Sequence, residues 1–217
     1  MHLVDLSHTI EHEMTTYPGL PGPEISDYLS FEQSQGHYAE GTEFSIGRVS
    51  MVANTGTYLD TPAHRLREGH DLDGLPLERC ADLPLVVIDA EAEGPIGAAF
   101  IQEAAIDGAA VLLRTGWDTH WRTERYGDPG HPHLTADGAE ALVANKAALV
   151  GIDSVNIDDT TTGERPAHTI LLAAGIPVVE HLTRLDRLPT RGARLTAVPP
   201  RIRGLATFPV RAFAAVP

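Results

Sequence analysis

PLVVIDA (84–90), AAVLLRT (109–115) and AALVGIDS (147–154) are three short apolar runs in the middle of the chain, and their reading decides the fold. Each runs for several residues without a polar interruption, which suits a strand covered on both faces. Segments around 97–106 and 136–146 lie between them and read as helical. Strand, helix, strand is the rhythm of a parallel sheet with crossover helices. Outward from this centre the pattern changes. HLVDLSHTI near the start reads as a first strand, and YPGLPGP (17–23) after it as a short loop. EFSIGRVSMVA (43–53) alternates Phe44, Ile46 and Arg48 with Ser45, Gly47 and Val49, which predicts a strand in a non-parallel part. RPAHTILLAAGIPVVEHL (165–182) predicts a short helix stopped at Gly175 and then a strand over 176–181. An α/β chain with a mixed sheet follows.

At 217 residues, 42% hydrophobic and 21% charged, the sequence can bury a substantial core and reads as one domain over 1–217. No apolar run approaches the roughly 18 residues that span a bilayer. MHLVDLSHTI lacks the charged-then-apolar pattern of a secretory leader, so a cytoplasmic location is expected. A formal net charge of −14 repels phosphate backbones and anionic membranes, so neither nucleic acid nor membrane is expected as a main partner. Cys80 is the only cysteine, which excludes an internal disulfide framework and a multi-cysteine zinc cluster; it reads as a buried small hydrophobe. Schiff-base chemistry would rest on Lys146, the sole lysine, at a helix-to-strand junction. There is no G-x-S-x-G elbow, phosphate loop or G-x-G-x-x-G fingerprint.

The stretch richest in chemistry runs from Asn54 through Gly56, Thr57, Tyr58, Asp60 and Pro62 to His64. Extended backbone would place Asn54, Tyr58 and Asp60 on one face. Gly56 permits a bend, and Pro62 ends regular pairing, leaving His64 on a turn beyond it. A plain strand-to-loop transition with a capping aspartate accounts for the same residues. His168 and Glu180 form a second candidate pair. A helix climbing from His168 and a strand returning to Glu180 would bring them together. They could bind a metal, or they could share an ordinary hydrogen bond. His8, His120, His131, His133 and His181 carry weaker signals.

At these residues the chain resembles the cyclase and arylformamidase family of metal-dependent hydrolases, which includes bacterial kynurenine formamidase and isatin hydrolase. VDLSHTIEHEMTTYPGLPGP, LLRTGW (112–117), GIDSVNID (151–158), HTILLAAGIPVVEHLTRLDRLP (168–189) and PVRAFA (209–214) are similar to the family's successive segments. Its central signature reads His-x-Gly-Thr-His-x-Asp-x-Pro-x-His. Gly56, Thr57, Asp60, Pro62 and His64 match it, whereas Asn54 and Tyr58 replace two histidines. Arg65 stands where the family commonly has phenylalanine.

The resemblance implies a swivelling β/β/α domain with a mixed sheet and flanking helices, and a homodimer or larger homo-oligomer. It places metal ligands on Asp60, His168 and Glu180, and an acid–base role on His64. The second family site, at Asn54 and Tyr58, is altered; these residues and Arg65 would then meet substrate. One divalent ion per subunit, zinc or manganese, is expected. The reaction implied is hydrolysis of a C–N bond in a small aryl amide, formamide or cyclic amide. A cyclase or lyase of secondary metabolism, and a metal-free binding protein using the old pocket, stand as alternatives.

Overall fold

The computed structural model describes residues 1–90, 94–101 and 105–217. Strand β1 (His2–Asp5) opens the chain, and β2 (Glu24–Leu29) and β3 (Ile46–Ser50) form a separate antiparallel hairpin. Then come β4 (Tyr58–Asp60), β5 (Leu83–Asp89), β6 (Pro95–Ile96), β7 (Ala110–Arg114) and β8 (His133–Leu134). The last are β9 (Leu149–Ile152), β10 (Val178–Glu180), β11 (Arg191–Thr196), β12 (Thr207–Pro209) and β13 (Phe213–Val216). The α-helices are α1 (Phe31–Ser34), α2 (Ala136–Ala144) and α3 (Pro166–Ala173).

A nine-stranded mixed sheet carries the fold, in the order β1-β13-β11-β5-β7-β9-β10-β4-β12. Its centre, β5-β7-β9-β10, is parallel, and the neighbours on both sides are antiparallel. The apolar runs that predicted this centre divide by residue parity. Val86, Ile88, Val111, Leu113, Val150 and Ile152 point to one core, beneath α2 and α3. Leu85, Val87, Ala110, Leu112 and Leu149 point to another, with Leu6, Leu182, Leu195 and Ala214. Period-two alternation therefore feeds two cores, which is why both faces had to be apolar. Helices cover one face, and the sheet's own outer strands and loops close the other. Gly151 stands where a Cβ would lie 2.6 Å from both Leu112 Cδ2 and Leu182 Cδ1, so β9 packs this closely only without a side chain.

Three expectations change. The helical segment expected around 97–106 is a single 3-10 turn at Ala98–Phe100, set off by extended Gly97; residues 102–104 fall outside the described part. The 43–53 strand forms, but as β3 paired only with β2, apart from the large sheet and exposed along its whole length. The run from Asn54 is not continuously extended. Gly56 adopts φ +65, and only Tyr58–Asp60 form the strand. No described helix is long and apolar enough to cross a membrane.

Candidate metal centre

Strand β4 lies between β10 and β12, and its register sets the site. Tyr58 is paired with Glu180, and Asp60 with Thr207. Two residues apart, Tyr58 and Asp60 share a face, and both are buried. Pro62–His64 then turn in a 3-10 helix that brings His64 back beside Asp60, with Nδ1 3.5 Å from Oδ1. The helix–turn–strand of α3 and β10 returns Glu180 to the start of α3, where His168 Nε2 lies 3.6 Å from Glu180 Oε1 and 3.6 Å from Asp60 Oδ2.

Asp158, in the loop after β9, anchors the start of α3. One oxygen accepts the Ala167 N–H at 2.6 Å; the other accepts the His168 backbone N–H at 3.1 Å and Nδ1 at 2.6 Å. With Nδ1–H given to that carboxylate, Nε2 is the nitrogen left to carry a lone pair once a cation takes the place of its proton. His168 Nε2 and Asp60 Oδ2 are buried side-chain atoms without a hydrogen-bond partner, and they face each other. Buried polar atoms in native proteins are almost always satisfied, and a cation can take lone pairs from both atoms and from Glu180 Oε1. Asp60, His64 and His168 also each offer a ligand atom within 4.8 Å of one another. The residues fit the ion.

The electrostatics agree. Burial opposes charge on His168, but Glu180, Asp158 and Asp60 outweigh it and push the pKa up to about 10. A cation would answer the same surplus of negative charge. Burial likewise pushes Glu180 up to about 7, eased by His168 and reinforced by Asp60. Burial alone would raise Asp60, yet His168, His64 and Thr207 hold it below the usual carboxylate range.

The altered half of the motif is filled by side chains. Tyr58 Oη donates to Glu180 Oε2 at 2.6 Å and lies 3.3 Å from His181 Nε2. Burial and the charges of Glu180 and Asp60 push the phenol well above its ordinary range, so it stays protonated. His181, with burial pulling it down to about 3, is neutral, and its Nδ1 meets Tyr126 Oη at 2.8 Å. Arg65 donates from Nε to Thr169 Oγ1 at 3.0 Å, which holds it beside α3.

Sequence reasoning missed Asp158, Thr207 and Tyr126. Asp158 closes the GIDSVNID segment and its place before α3 was a signal; Thr207 in an ordinary strand offered none. Among the weaker histidines, His8 stacks on Trp121 at 3.9 Å with its buried Nε2 unpartnered, and buried His131 is held by Ser154 and Thr160. Cys80 is buried, and burial pushes its thiol up to about 11, away from reactivity.

The chain is similar to known proteins over nearly its full length. Kynurenine formamidase of Maricaulis maris (strain MCS10) is 27% identical over 217 residues, covering 96% of this chain and 95% of that protein. The Bacillus thuringiensis (strain Al Hakam) kynurenine formamidase is 28% identical over 210 residues, with 96% and 95% covered. Isatin hydrolase A from Ralstonia solanacearum has a TM-score of 0.82 at 25% identity, over 100% of this chain and 92% of that one. Isatin hydrolase A from Labrenzia aggregata, bound to benzyl benzoate, has a TM-score of 0.83 at 24% identity, over 99% and 93%. The family model described as "Putative cyclase" matches residues 4–159, a span that takes in the two central parallel crossovers and the whole Asn54–His64 motif, and the chain belongs to that cyclase family.

Proposed function

We propose that this chain hydrolyses the C–N bond of a small aryl amide, formamide or cyclic amide, using one divalent ion held by Asp60, His168 and Glu180. The observation that carries the reading is the convergence of His168 Nε2 and Asp60 Oδ2, both buried and unpartnered, with Glu180 Oε1. Two carboxylates and one imidazole suit zinc or manganese. When bound, the ion supplies Lewis acidity, polarising a carbonyl and making water more acidic. His64, at the exposed edge, accepts a proton from the attacking water as the C–O bond forms. It returns that proton to the nitrogen as the C–N bond breaks, giving a carboxylic acid and an amine. Asp158 fixes the ring of His168. Asn54 and Tyr58 line the pocket, with Tyr58 orienting Glu180. Arg65 favours substrates bearing a carboxylate, because a guanidinium pairs with that group bidentately.

The working unit is a cytoplasmic homodimer. Support for the dimer comes from the β2–β3 hairpin, since two strands alone are marginal in water. Tyr28, Phe31, Tyr38 and Phe44 around it are 70%, 52%, 45% and 51% exposed. They present about 400 Å² of aromatic surface per protomer. Doubled and joined by Ile25, Ile46 and Val49, this approaches the roughly 1,200 Å² of a stable interface.

The test is a screen of N-formylkynurenine, isatin and simple aryl formamides, with manganese or zinc added. Hydrolysis lost on chelation and restored by metal is expected, with carboxylate-bearing substrates preferred by wild type and not by Arg65→Ala. Ring closure without hydrolysis would favour a cyclase, and tight binding without turnover a binding protein.

A further inference from the structure

Thr207 opens β12 directly opposite Asp60 on β4, so the two side chains leave the sheet on the same face. It is only 3% exposed. Its hydroxyl has one proton and two lone pairs. The proton goes to Asp60 Oδ1, because an ionised carboxylate can only accept. The same oxygen lies 3.0 Å from His64 Nδ1, and with its proton committed it can only accept there. His64 must then carry its proton on Nδ1 and its lone pair on Nε2. The direct approach of His64 Nδ1 to Asp60 Oδ1 is longer, at 3.5 Å, so the hydroxyl makes the link between the two groups.

We propose that Thr207 is the positioning residue of this centre: its single hydroxyl fixes the tautomer of His64 and, by donating to Oδ1, turns the unpartnered Oδ2 of Asp60 toward a cation. This rests on reading Asp60 as a metal ligand and His64 as the proton-transfer group. It explains why Oδ2 and not Oδ1 is the unpartnered oxygen of Asp60. It also keeps His64 Nδ1 out of the ligand set, since that nitrogen already donates. A threonine in a strand also has an ordinary explanation, a β-branched side chain filling space, and valine would serve that purpose equally well.

Thr207→Val removes the hydroxyl at constant shape, and Thr207→Ser keeps it. Nitrogen-15 imidazole spectra of the metal-free proteins, taken where His64 is neutral, report the tautomer, and titration with Mn²⁺ reports affinity. Wild type and Thr207→Ser should show His64 protonated on Nδ1. Thr207→Val should show a mixture of tautomers and bind Mn²⁺ about 10-fold more weakly, the size expected for a lost partner of a metal ligand. A wild-type His64 protonated on Nε2, or a Thr207→Val protein with unchanged tautomer and affinity, overturns the proposal. Because the spectra need neither metal nor substrate, they decide it even if no amide in the screen is hydrolysed.

Discussion

His64 is the residue on which the proposed chemistry turns, and its environment separates two roles. Its ring is about a third exposed, at 34%, whereas Asp60 is fully buried, so His64 meets the solvent side of the site and Asp60 its floor. A proton-transfer group should be reachable and hydrogen-bonded on its far nitrogen, and Thr207 meets the second condition. His64→Ala should therefore lower turnover by about 10² or more while bound metal, measured by elemental analysis, stays nearly constant. Metal lost in step with activity would make His64 a fourth ligand, as its nearness to Asp60 and His168 allows.

At the scale of elements, α2 is positioned by close backbone contact as well as by apolar burial. Gly138 in α2 packs so tightly that a Cβ would sit 2.6 Å from the Ile96 carbonyl oxygen and 2.7 Å from Leu134 Cδ1. Alanine is the better helix former by about 1 kcal/mol, so propensity alone predicts stabilisation from Gly138→Ala. Overpacking against backbone costs about 1–3 kcal/mol, which is larger and opposite in sign. The variant should unfold at lower denaturant concentration than wild type with an unchanged slope. A raised midpoint would mean that β6 and α2 can move apart freely. The short α3 behaves differently: Asp158 satisfies its first backbone N–H groups and orients His168 in one stroke, so helix start and metal ligand are specified together.

For the whole molecule, the prediction is one bound ion per chain. The Asn54–Tyr58 half of the motif is filled by a protonated phenol hydrogen-bonded to Glu180, which leaves Asp60 as its only anionic ligand. Elemental analysis of protein purified without chelator should give no more than one ion per chain, and Glu180→Ala should abolish binding. Two ions per chain would show that tyrosine and asparagine still build a second site. Light scattering should report a dimer, and replacing Tyr28, Phe44 and Val49 by serine should yield monomer. An unchanged mass would move the interface elsewhere.

The parallel centre was legible because the continuous apolar runs 84–90, 109–115 and 147–154 can lie only where both faces are covered. His168 and Glu180 were legible as neighbours because the rise of a helix and the rise of a strand are fixed lengths. Asp60 and His64 were legible through the resemblance carried by the Asn54–His64 motif, whose short strand and 3-10 turn are local structure. What no local pattern could supply is the pairing of β12 with β4, which brings Thr207 across 147 residues to Asp60. The detached β2–β3 hairpin likewise has an ordinary strand's alternation. Periodicity records which side chains share a face, whereas the partner that face meets is set by chain crossings, and those crossings exist only once the sheet has closed.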